Sequence, residues 1–179
     1  AMSSLFTLMA AMPFSAATTT VSQRIATGLD SFALLAIPFF ILSGQIMSKG
    51  GIANRLISFA KTLVGFLPGG LALINIVSAM LMGAIAGSAM ASASAMGTIL
   101  GPEMEKEGYS KEFGAAVNIT SSTTGLVIPP SNTLIVYSLA SGGVSIAALF
   151  LAGYIPGILT GLLMMIVAMV WAKKNKYPV

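Results

Sequence analysis

Two uncharged, apolar stretches of the sequence, residues 69–101 and 118–133, are each interrupted near the middle. The interruptions are small, hydroxyl-bearing or helix-breaking residues: Ala86, Gly87 and Ser88 in the first stretch, and Gly125, Pro129, Pro130 and Ser131 in the second. Where a helix unwinds, its carbonyl oxygens become available to a hard cation, and the first NH groups of the next helix become available to a carboxylate. The two stretches therefore predict the two sides of one polar site.

The composition identifies the environment in which that site lies. Of the 179 residues, 56% are hydrophobic and only 8% are charged, whereas soluble domains carry about a quarter charged residues. Apolar segments recur along the whole chain, so a signal peptide does not explain them. We predict an all-α polytopic membrane protein, in which non-helical backbone is tolerated only where it faces protein, water or a bound ion.

The absence of certain residue types excludes several kinds of chemistry. The chain contains no cysteine and no histidine, which excludes thiolate catalysis, histidine acid–base catalysis and the usual zinc sites. A membrane hydrolase using Ser88 would lack a base, so we predict that the protein is not an enzyme. The net charge of +4 is distributed along the chain by topology, and no nucleic-acid partner is expected.

Residues 1–68 predict scaffold helices and an amphipathic arm. Residues 3–17 are apolar but short for a span, residues 18–30 are a polar connection, and residues 31–48 can cross a bilayer. Residues 52–66 carry apolar side chains at three- to four-residue spacing, which is typical of a helix on the membrane surface or against a neighbour.

Residues 69–145 predict a transport part, and residues 146–179 a final transmembrane helix with a basic cytoplasmic tail. Within the transport part we predict a hairpin over residues 69–102 and a broken helix over residues 112–141. The tandem proline Pro129-Pro130 is the strongest sign of a cavity, because prolines in a span leave backbone groups that need another partner.

Basic residues favour a re-entrant course for the hairpin. They concentrate in residues 49–61 and 173–176, which both belong on the cytoplasmic side, so an even number of crossings separates them. The broken helix and the last helix supply two, and the hairpin supplies either none or two more. Each arm is about 18–24 Å long as a helix, which is shorter than the roughly 30 Å hydrocarbon core. A hairpin that enters and returns is favoured over two complete spans.

The sequence resembles the large membrane subunit of the tripartite ATP-independent periplasmic (TRAP) transporters. The matching motifs occur in order along the chain: Leu29-Asp30-Ser31-Phe32, Ala36-Ile37-Pro38-Phe39-Phe40-Ile41-Leu42, Gly87-Ser88-Ala89, Gly108-Tyr109, Ile128-Pro129-Pro130-Ser131, Leu149-Phe150-Leu151-Ala152-Gly153 and Pro156-Gly157. Each motif is weak alone, but the ordered set is specific.

The resemblance implies a sodium-coupled importer of an organic anion, such as sialic acid or a C4-dicarboxylate, that works by an elevator motion. It implies two partners, a periplasmic substrate-binding protein and a small four-helix membrane subunit, in the bacterial inner membrane. The family's large subunit has two inverted halves. This chain resembles the N-terminal half, so we expect it to be a piece of a longer chain that works with the remaining half.

The resemblance also implies site residues. The sodium ligands it implies, mostly backbone carbonyls, are Ala86, Ser88, Gly125, Ile128 and Pro130, and the substrate-binding residues it implies are Ser88, Ser92, Ser131 and Asn132. The family usually has Ser, Asp and an aliphatic residue where this chain has Ala86, Ser92 and Asn132. The run Ser131-Asn132-Thr133 resembles the carboxylate-binding motif of the divalent-anion/sodium symporters.

Simpler interpretations remain open for parts of this pattern. The small residues 83–94 could serve helix packing, and the hydroxyls of residues 121–124 could bond to their own helix backbone. The same small-residue tip could line the pore of an ion or solute channel. The absence of charged residues from the spans argues against a charge-selective pore.

Overall fold

A computed structural model describes residues 2–30 and 32–178 of the chain. Over these residues the secondary structure is helical, as the composition predicts. The helices are α1 (Met2–Met9), α2 (Phe14–Leu29), α3 (Phe32–Lys49), α4 (Ile52–Val64), α5 (Gly70–Ala86), α6 (Ala89–Lys106), α7 (Lys111–Ser122), a 3₁₀ turn (Thr123–Leu126), α8 (Asn132–Ala140) and α9 (Ile146–Lys174).

The chain separates into two compact units, one ending at Ala36 and one beginning at Ile37. In the first unit α1 packs against α2. The predicted polar connection at residues 18–30 is wrong, because most of it is helical in α2. Its threonine hydroxyls donate to carbonyls four residues earlier, as from Thr19 to Ser15 at 2.8 Å and from Thr27 to Gln23 at 2.7 Å. These bonds satisfy the polar side chains within the helix.

Helix α5 is the centre of the second unit. It is apolar on all sides, and such helices are buried on all sides. One face packs with α4 and α6 around Met82, Met96 and Leu100. The opposite face packs with α7 and α9 around Ile76 and Val117. Because neighbours hold α5 on both faces, its last residues have a fixed position.

The amphipathic helix α4 packs against α5, which is one of the two positions predicted for it. Its buried contacts are Ala53 and Ala60, whereas Phe59 and Leu63 of the predicted apolar face are exposed. The small alanines allow close approach to α5, and the larger side chains remain available to lipid or to another protein surface.

Serine residues fix the starts of the later helices. Each accepts a hydrogen bond at Oγ from the backbone NH three residues on, which satisfies a group that the helix itself cannot pair: Ser88 before α6, Ser110 before α7, Ser131 before α8 and Ser145 before α9. Helix α6 continues to Lys106, four residues beyond the predicted end of the hairpin at residue 102. The residues after Pro102 are Glu, Met, Glu and Lys, which are good helix formers.

An aromatic cluster joins the base of the hairpin to the segment after α9. The rings of Tyr109 and Tyr177 stack with centroids 4.4 Å apart. The Tyr109 hydroxyl donates to the carbonyl of Pro178 at 3.3 Å. Burial, with a smaller contribution from the Glu107 carboxylate, raises the pKa of Tyr109 to about 12. The hydroxyl therefore remains a hydrogen-bond donor throughout the neutral range.

Within the described residues, α9 is long and apolar enough to cross a membrane by itself. A second span is counted if α2 and residues 34–47 of α3 are taken together as one broken span. Helix α9 confirms the predicted final apolar helix, and its last turn carries Lys173 and Lys174.

Candidate functional site

The tip of the hairpin is a tight turn between α5 and α6. Helix α5 ends at Ala86, Gly87 has a φ of +60°, and Ser88 is extended before α6 begins. A Cβ atom at Gly87 would lie 2.6 Å from the carbonyl oxygen of Pro130. Both the left-handed backbone and this close approach require glycine.

The second interrupted stretch is non-helical between the 3₁₀ turn and α8, as predicted. The carbonyl of Thr124 accepts hydrogen bonds from the NH groups of Val127, at 3.0 Å, and Ile128, at 2.8 Å. Neither Pro129 nor Pro130 has an NH group to donate. Backbone carbonyls in this segment are consequently not all used by local hydrogen bonds.

The two interruptions lie against each other. The Asn132 NH donates to the Gly87 carbonyl at 3.3 Å. One helical turn before the tip, a Cβ at Gly83 would lie 2.5 Å from the Cα of Gly125. Glycine at both positions lets the two backbones touch, so the two interruptions are in direct contact.

The predicted sodium ligands fall on both sides of this contact. Within the part of the chain that the structure describes, no hydrogen-bond donor reaches four of the predicted carbonyl oxygens, those of Ala86, Gly125, Ile128 and Pro130. The carbonyl of Ser88 accepts from the NH of Ser92 at 3.1 Å. Unused carbonyl oxygens are the ligands that hard cations prefer.

The three other predicted substrate residues have different surroundings. Ser131 is fully buried, and its hydroxyl donates to the Leu126 carbonyl at 2.5 Å and accepts from the Leu134 NH at 3.3 Å. Ser92 is also fully buried, and its hydroxyl donates to the Ala79 carbonyl at 3.0 Å. Both hydroxyls therefore stabilise the fold. Asn132 differs, because its buried Oδ1 has no hydrogen-bond partner among the described residues.

Replacing Ser92 with alanine is expected to destabilise the hairpin by about 1 kcal/mol, because a buried hydrogen bond between its two arms is lost. Thermal unfolding of the purified chain in detergent measures this effect, and Ser94→Ala, at an exposed position of the same helix, is the control. A rise in the KM for substrate with unchanged unfolding would instead assign Ser92 to substrate binding.

Helix termini place partial charges of both signs near the contact. Helix α5 and the 3₁₀ turn end here, and helix C-terminal ends carry partial negative charge. Helices α6 and α8 begin here, after Ser88 and Ser131, and N-terminal ends carry partial positive charge. One small region can therefore attract both a cation and an anion.

Nearby threonine hydroxyls are engaged within their own segment. Thr123 donates to the Thr120 carbonyl and Thr124 donates to the Ser121 carbonyl, each at 2.6 Å. The simpler interpretation of these side chains is therefore confirmed.

Glycines of α9 pack against the broken segment, a contact that the sequence analysis did not predict. A Cβ added at Gly153 would clash with the Val127 carbonyl oxygen, and a Cβ at Gly157 would lie 2.5 Å from Cγ1 of Ile128. The four-residue spacing of Gly153, Gly157 and Gly161 is the signal that could have identified them, since small residues at this spacing allow close helix packing.

Replacing Gly157 with leucine is expected to destabilise the chain by about 1–3 kcal/mol, because the new side chain would enter space that Ile128 fills. The midpoint of thermal unfolding in detergent should fall by several degrees. Gly28→Leu is the control, since a Cβ at that helical glycine meets nothing within 4 Å. Equal midpoints for the two variants would contradict the packing described.

Comparison with known proteins places this sequence in a family. The model of the tripartite ATP-independent periplasmic transporter DctM component matches residues 1–179. The uncharacterized protein YgiK of Salmonella typhimurium is 59% identical over 99% of this chain and 41% of its own length.

Two further relatives come from Vibrio cholerae. The C4-dicarboxylate TRAP transporter large permease protein DctM is 45% identical over 82% of this chain and 32% of its own length. The sialic acid TRAP transporter large permease protein SiaM is 37% identical over 87% of this chain and 36% of its own length.

The chain thus spans about two fifths or less of the length of these relatives. The relatives whose names state a role are transporter permeases, in agreement with the prediction that the protein is not an enzyme. Because the family model matches the whole chain, we conclude that the chain belongs to the DctM family of TRAP transporter membrane components.

Proposed function

We propose that the chain forms one cation and substrate site of a secondary transporter that imports an organic anion together with sodium. The observation that carries this proposal is the contact between the two interruptions, where the Asn132 NH meets the Gly87 carbonyl at 3.3 Å. Discontinuous helices that meet in this way are how secondary transporters assemble ion and substrate sites.

Sodium would be held mainly by backbone carbonyls. The candidates are the oxygens of Ala86, Ser88, Gly125, Ile128 and Pro130. The Oδ1 atom of Asn132 supports this assignment, because it is buried, has no partner among the described residues, and lies 3.6 Å from where a Gly87 Cβ would be. A buried amide oxygen without a donor is stabilised by a cation.

The carboxylate or other anionic group of the substrate would lie at the starts of α6 and α8. The partial positive charge at these helix starts favours an anion. Ser88 and Asn132 lie at these starts, while Ser92 and Ser131 would act by holding the surrounding backbone in place. Binding of the cation next to the anion would couple the two, because each lowers the electrostatic cost of the other.

The hairpin would enter the membrane and return, which places its tip near mid-membrane. The uncharged part of α6, residues 89–102, is about 21 Å long, less than the roughly 30 Å of hydrocarbon. We place the protein in the bacterial inner membrane as a multi-pass protein with its lysine-rich segments in the cytoplasm.

Transport would require partners. We propose that the chain works with the remaining length that its relatives have, here called the complete subunit. A small four-helix membrane subunit would join it, and a periplasmic binding protein would deliver the substrate. One relative is a DctMQ permease for isethionate, and others are named for C4-dicarboxylate, sialic acid and 2,3-diketo-L-gulonate, so the shared feature of the substrates is an anionic group. The movement proposed is an elevator motion.

The test is uptake by the complete transporter in proteoliposomes, with its binding protein loaded with radiolabelled carboxylate. Uptake should require an inward sodium gradient and should stop when potassium replaces sodium. Uptake that is independent of sodium would contradict the coupling, and uptake that rises linearly with substrate and needs no binding protein would favour a channel.

A further inference from the structure

A cavity of about 210 Å³ lies between α5, α6 and α7, at the base of the hairpin and away from the tip. Small residues such as Gly101 and Gly114 form part of its wall. The exposed ion pair of Glu105 and Lys111, 3.5 Å apart, lies on its lining near the turn between α6 and α7. The cavity is therefore open at an end of the hairpin where charged groups face water.

Two asparagines line the inner part of this cavity with unmet hydrogen-bonding capacity. Asn75 is only 1% exposed, and its Oδ1 accepts from the Ser121 hydroxyl at 3.4 Å. Asn118 donates through Nδ2 to the Ala93 carbonyl at 2.9 Å. The other atoms of the two amides, Nδ2 of Asn75 and Oδ1 of Asn118, are buried and have no partner among the described residues. Leaving each of these atoms without a hydrogen bond would destabilise the folded state by about 1–3 kcal/mol.

The hydrogen-bonding roles of the two unmet atoms indicate which kind of ligand suits them. One is a donor and the other is an acceptor, so a cation would face an NH group and an anion would face a carbonyl oxygen. Water both donates and accepts, and it therefore suits the pair. At about 210 Å³, the cavity has room for several waters.

We infer that this cavity is a water-filled vestibule that hydrates the hairpin base from the side of Glu105 and Lys111. Its inner end at Asn75 lies on the same helix as the tip residue Ala86, about 16 Å away at 1.5 Å per residue. The vestibule shortens the part of the hairpin that is shielded from water between the aqueous phase and the tip. It is independent of the sodium proposal, since none of its residues belongs to the tip site.

Radiolytic footprinting of the native complete subunit tests the vestibule directly, because hydroxyl radicals form from water next to the side chain that they oxidise. Met104 lines the cavity and is 1% exposed, whereas Met96 of the same helix is 0% exposed and packs in the apolar core. Met104 should be oxidised about tenfold faster than Met96, since only Met104 lines the proposed vestibule.

Two further measurements separate water from other occupants. Gly101→Leu should fill the cavity and slow the oxidation of Met104 without changing that of Met96, because a Cβ at Gly101 meets nothing within 4 Å. Exchanging sodium for potassium should leave both rates unchanged. Equal oxidation of the two methionines in the native protein would overturn the proposal, and protection of Met104 by sodium would replace it with a cation site.

Discussion

Replacing Gly87 with alanine is expected to lower sodium-driven uptake by the complete transporter by about 100-fold or more. The added Cβ would lie 2.6 Å from the Pro130 carbonyl, and the φ of +60° is unfavourable for any residue with a side chain. The tip and the broken segment would have to separate, and a displacement of about 1 Å at a site that positions its ligands can cost about 100-fold in rate. Proteoliposome uptake at saturating binding protein measures the effect.

The matched control is Gly108→Ala, in the turn between α6 and α7. Gly108 has a φ of +85°, so the substitution strains the backbone in the same way, but a Cβ there meets nothing within 4 Å. We expect Gly108→Ala to retain most of the uptake. If both variants transported equally well, the close approach at Gly87 would have no functional role.

Replacing Asn132 with leucine is expected to raise the sodium concentration for half-maximal uptake by about tenfold or more. The substitution removes the Oδ1 atom proposed to face the cation, and an interaction with a charged group is worth about 1.5–3 kcal/mol. The backbone NH that bonds to the Gly87 carbonyl is retained, so the contact between the two segments survives. Uptake measured as a function of sodium concentration gives the result.

Two variants distinguish a role of Asn132 in sodium binding from a role in substrate binding. Asn132→Asp keeps an oxygen and adds a negative charge, so sodium dependence should be preserved while the KM for the carboxylate rises through repulsion. Asn54→Leu changes an exposed asparagine of α4 and should change neither quantity. A rise in carboxylate KM for Asn132→Leu with no change in sodium dependence would assign Asn132 to the substrate alone.

The interrupted hairpin and broken helix were predictable because their signals are local. Glycine, proline and serine in an uncharged apolar run mark where a helix stops, and the structure has a turn at Gly87 and a break before Asn132. That the two breaks belong together followed from a chemical argument, namely that exposed backbone groups in a membrane need a common polar site.

The parts that the sequence analysis missed depend on tertiary contacts or on side chains bonding to their own helix. Residues 18–30 have a polar composition, yet Thr19 and Thr27 satisfy their hydroxyls within α2. Ser92 and Ser131 carry the same hydroxyl as Ser88, and only the structure distinguishes a buried bond to Ala79 or Leu126 from a group at the tip. Which carbonyl lies opposite a serine depends on tertiary contacts that a single sequence does not specify.

Binding of radioactive sodium to the purified complete subunit tests the central claim most directly. The claim is that the hairpin tip and the broken segment together enclose a sodium ion, and Gly87→Ala disrupts that contact while Gly108→Ala does not. We predict that Gly87→Ala binds one sodium ion fewer per subunit than Gly108→Ala at saturation. Equal numbers of bound ions with equal affinity in the two variants would contradict the account.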